Sequence, residues 1–79
     1  MSPGIGLMKR KLEKEQDAVS LAISGIVKKY AADAQGMEKL ESLYHKDSGD
    51  WYVALGWDGK KAVIRMDSVL GKITEIKEV

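Results

Sequence analysis

Residues 51–67 read WYVALGWDGKKAVIRMD. In the first run Trp51, Val53, Leu55 and Trp57 fall on one side, and Tyr52, Ala54 and Gly56 on the other. In the second, Ala62, Ile64 and Met66 share a side, and Val63 and Arg65 take the opposite one. Alternation of period two is the pattern of a strand with one face buried. Between the runs stands Asp58-Gly59-Lys60. Asp-Gly suits a two-residue hairpin turn, because both of its positions need positive φ. The stretch predicts an antiparallel hairpin with an apolar face to hide.

Downstream, residues 67–72 read DSVLGK, and residues 72–78, KITEIKE, carry Ile73 and Ile76. Gly71 offers a backbone conformation that other residues adopt poorly, and an Asp such as Asp67 accepts hydrogen bonds from nearby amides. No catalytic partner accompanies them, so this segment reads as a turn into a last short strand. Upstream, Asp47-Ser48-Gly49-Asp50 is another turn. It implies a strand across residues 37–46, with Leu40, Leu43 and Tyr44 as its apolar positions. That segment alternates poorly, which predicts a bend, a bulge or an edge position.

Residues 10–35 predict a helix. Val19, Ile23, Ile26 and Tyr30 recur at helical spacing, and Ala18, Ala22 and Val27 widen the stripe. Gly36 stands where a left-handed C-terminal cap belongs. Gly25, inside the helix, has two readings: a close approach to the sheet, or a solvent-facing position that only costs stability. Residues 1–9, with Pro3, Gly4 and Gly6, read as a flexible lead-in. The expectation is a single α+β domain over residues 10–79. One N-terminal helix packs on a three- to four-stranded antiparallel sheet, in the order α-β-β-β-β.

Composition narrows function. The chain has 79 residues, no cysteine, and a net charge of +1 from 13 basic and 12 acidic residues. Disulfides and thiolate metal sites are excluded, and nucleic-acid domains carry a clearer basic excess. No apolar run reaches the ~20 residues of a membrane span. Lys9-Arg10-Lys11 is followed by Leu12 and then by charged residues, so no export signal is read. As written the chain is expected in the cytoplasm, or outside it if a leader has been removed.

The helix with DAVSLA, the strand pair WYVALGWDGKKAVIRMD and the tail GKITEI together resemble the PepSY domain. Ala18 and Ala22 match its helix, and Trp51, Tyr52 and Val53 match its aromatic-rich strand. Asp67, Gly71, Lys72 and Ile73 match its closing turn. The similarity spans roughly residues 15–79. It implies a helix on an antiparallel sheet and no catalytic residues. PepSY domains occur in propeptides of thermolysin-like metalloproteases, where they are thought to inhibit or regulate peptidases, and as exported modules. The chain departs from them in having no visible leader and no fused protease.

No residue set outside that resemblance points to chemistry. His45 is the single histidine, flanked by Asp47 and Asp50, and a structural zinc site needs four ligands. The serines lie in no nucleophile elbow. Neither a cofactor nor an enzymatic activity is expected. The expected function is a protein-interaction or regulatory module, with an edge strand pairing with a partner or with a second copy. Tyr44, Tyr52, Trp57 and Ile76 are the expected interaction residues; Asp58, Gly59, Asp67 and Gly71 are structural turn residues. The alternatives are small-ligand or nucleic-acid binding on the sheet face through Tyr52, and a homodimeric scaffold.

Overall fold

The computed structural model describes residues 11–79, so the lead-in over residues 1–9 lies outside the described residues. Helix α1 spans Glu15–Tyr30 and is followed by a short 3-10 turn, Ala34–Gly36. Strands β1 (Glu38–His45), β2 (Asp50–Trp57), β3 (Lys60–Asp67) and β4 (Lys72–Glu78) then form one antiparallel meander in the order β1-β2-β3-β4. This is the α-β-β-β-β arrangement read from the alternation.

The central hairpin follows from its turn. Asp58 and Gly59 have φ of 47° and 72°, so the backbone twist of the turn matches that of the strands. Pairing is unbroken from Asp50↔Asp67 to Trp57↔Lys60. Trp51, Val53, Leu55, Trp57, Ala62, Ile64 and Met66 are all buried, on the side that α1 covers. The last connection is closed by Asp67, whose Oδ1 accepts from Val69 N at 2.9 Å and Leu70 N at 3.0 Å. Gly71, at φ 70°, donates to the Asp67 carbonyl at 2.8 Å.

The helix is shorter than the expected 10–35 at both ends. At its start, Leu12 is pulled into the core. Lys11 N and Leu12 N both donate to the Ser68 carbonyl at 2.9 Å, and Trp51 Nε1 donates to the Leu12 carbonyl at 2.8 Å. Residues 11–14 are not helical and form a strap over the sheet end. At the other end the left-handed cap is Ala31, at φ 54°, and not Gly36. Tyr30 there packs on Trp57 with ring centroids 5.3 Å apart. The buried stripe of α1 is centred on Ala18, Ala22 and Ile26, with Val19, Leu21 and Ile23 on its flanks, so it is turned toward Leu21 and away from Val27. Small residues at the centre let the helix approach closely. A Cβ at Gly25 would meet Cδ1 of Ile73 in β4, which selects close approach over a solvent-facing glycine.

Candidate functional site

Sheet alternation leaves a second face. Opposite α1, the pairs Tyr52↔Arg65, Ala54↔Val63 and Gly56↔Lys61 point away from the core, and β1 extends their rows with Leu43 and Glu41. On β4, Glu75 and Lys77 fall in register with Arg65 and Val63. Among the described residues no element covers this face.

A bulge enlarges its apolar part. The β1–β2 register shifts between Lys39 and Glu41, which adds Leu40 to the strand. Its side chain lies by Gly56: a Cβ on Gly56 would stand 3.3 Å from Leu40 Cδ1. Leu40 and Leu43 are 45% and 55% exposed, high values for large apolar side chains. Between β1 and β3, Glu41, Leu43, Tyr52, Ala54 and Val63 line a shallow groove of about 220 Å³.

Charge frames the apolar strip. Arg65 donates from Nε and Nη2 to Asp50 Oδ2, at 3.0 and 2.8 Å, and its guanidinium lies 5.8 Å from the Tyr52 ring. The hydrogen bonds that Arg65 donates to Asp50 and the charge of that carboxylate raise the Arg65 pKa further above its ordinary value. Glu41 on β1 and Lys77 on β4 stand at opposite ends of the row Glu41–Ala54–Val63–Lys77 and join no ion pair among the described residues.

The expected interaction residues divide between surfaces. Tyr52 is on the open face. Tyr44 is half-buried on the helix side, its ring 5.1 Å from that of Trp51. Ile76 is half-buried under α1, near Gly25. Trp57 is 5% exposed and belongs to the core, which corrects its place in an interaction surface. The corresponding signal was already in the sequence: Trp57 shares its parity with Val53 and Leu55, and parity decides the face. Leu40 was illegible as a face residue because a bulge breaks parity. Asp58, Gly59, Asp67 and Gly71 sit in the two turns described above.

The open edges are less inviting than the open face. Both β1 and β4 carry a register shift and alternating charge, features that blunt an edge against pairing. His45 Nδ1 lies 3.1 Å from Ser48 Oγ, and Asp50 is taken by Arg65. No group of three or more His, Cys, Asp or Glu able to hold a metal ion occurs among the described residues, and no helix there is long and apolar enough to cross a membrane.

Comparison with known proteins gave no match to a family model, a curated protein or a solved structure.

Proposed function

We propose that the chain is a non-catalytic protein-interaction module of PepSY type that binds a polypeptide on its open sheet face. One observation carries this reading: the apolar strip through Leu40, Leu43, Tyr52, Ala54 and Val63 lies uncovered, while the other face of the same sheet is sealed by α1. An exposed apolar patch with a polar rim is the usual mark of a protein contact. The polar groups beside it serve structure, with Arg65 holding Asp50 and Asp67 capping its turn.

The PepSY resemblance makes a peptidase domain the partner to test. The experiment measures hydrolysis by a thermolysin-like metalloprotease in the presence of the chain, of Val63→Lys on the open face, and of Leu70→Lys on the exposed β3–β4 turn. The reading expects slowing by the parent chain and by Leu70→Lys, and loss of the effect with Val63→Lys. Equal slowing by all three contradicts the placement on the open face. No slowing by any of them removes the peptidase-regulating form of the proposal.

A further inference from the structure

We infer that the open sheet face pairs with a second copy of this chain, about a twofold axis that runs parallel to the strands between β2 and β3. The inference rests on the reading of that face as a protein contact, and it names the partner.

The row Glu41–Ala54–Val63–Lys77 crosses all four strands in register. Its ends are opposite charges on β1 and β4, and its middle is apolar. A twofold parallel to the strands lays β1 of one copy over β4 of the other. Glu41 then faces Lys77 of the second copy, Ala54 faces Val63, and symmetry repeats both contacts. A twofold along the row would place Glu41 over Glu41 and Lys77 over Lys77, so like charges exclude it. The row is therefore self-complementary in one orientation only.

Size is compatible with a weak specific dimer. Four strands about 4.8 Å apart and about eight residues long present roughly 500 Å² per copy, or about 1,000 Å² for the pair. That just reaches the ~1,000 Å² expected of a biological interface. The product is a helix–sheet–sheet–helix sandwich, with Leu40 and Leu43 removed from water and the two sheets free to cross at about −30°.

The test is sedimentation equilibrium of the full chain up to about 1 mM. It compares the parent with Glu41→Lys, with Lys77→Glu and with the double charge swap, each checked for native circular dichroism. Both substituted positions are exposed, so folding is expected to survive. The inference predicts a reversible dimer. Each single reversal should weaken it on the order of ten-fold, because every changed pair occurs twice, and the double swap should restore it. A monomer throughout overturns the inference and leaves the protein-contact reading to the protease experiment. A dimer that neither reversal weakens also overturns it, and a further loss with Val63→Lys then shows whether the face is used in another orientation.

Discussion

Ser68 lies fully buried where three segments meet. Its N–H donates to the Gly49 carbonyl at 3.0 Å, and its own carbonyl accepts from Lys11 N and Leu12 N. Its Oγ has no partner among the described residues. A buried hydroxyl with no hydrogen bond costs about 1–3 kcal/mol of desolvation. Ser68→Ala keeps the backbone bonds and removes that cost, so urea unfolding should find the variant as stable as the parent or more stable by about 1 kcal/mol. A clear loss of stability would mean that the hydroxyl has a partner. Gly25 poses the opposite case. Alanine in a helix interior gains about 1 kcal/mol over glycine, yet here its Cβ meets Ile73 Cδ1. The Ile73 side chain must shift aside, so Gly25→Ala should gain less than that in the parent chain. In an Ile73→Val background, where that methyl is absent, the same change should be more favourable. Equal effects in both backgrounds contradict the contact.

At the scale of elements, the strap over residues 11–14 joins α1 to the sheet through Trp51. Trp51→Phe leaves the Leu12 carbonyl without its donor and should cost about 1–3 kcal/mol in thermal or urea unfolding. Directly after the strap, the contact of α1 with β1 is ionic. Lys39 Nζ lies 2.7 Å from Glu15 Oε2, and Ser42 Oγ donates to the same oxygen. Hydrogen bonds from Lys39 and then Ser42, with the Lys39 charge, hold the Glu15 carboxyl below its ordinary value of 4.5. A folded-state pKa below the unfolded one gives stability that is present above pH 4.5 and is lost as pH falls through the lowered value. Stability measured down that window should fall less steeply in Glu15→Gln than in the parent chain; parallel curves contradict the assignment. These contacts also explain what was legible in the sequence. The hairpin and its buried parity were readable at 51–67, because alternation and Asp-Gly are local signals. The helix boundaries were not, since Leu12 leaves the helical path for a bond to Trp51, 39 residues away, and a left-handed Ala31 stands where a glycine was expected. Leu40 reached the open face through a bulge that only the pairing with β2 defines.

For the whole molecule, one helix can cover one side of a four-stranded sheet, and the composition of the two faces records that. The covered side has buried Val53, Leu55, Ala62, Ile64, Met66 and the two tryptophans at its centre, with half-buried Tyr44, Ile73 and Ile76 at its margins. The open side mixes Leu40, Leu43, Tyr52 and Val63 with paired and rim charges, a composition suited to a contact that forms and separates. The open face was half legible in the sequence, as the alternate positions of the same strands, and the charge arrangement across it needed the register of all four. The central claim is that this face pairs with a second copy of the chain. The most direct measurement is methyl NMR with a soluble paramagnetic probe, recorded across a dilution series of the full chain. The account predicts that the Leu43, Ala54 and Val63 methyls are strongly attenuated when dilute and become protected as concentration rises. Val69 and Leu70 should stay attenuated, and the buried Val53 and Ile64 should stay protected, throughout. Attenuation of Leu43, Ala54 and Val63 that does not change with concentration would contradict it.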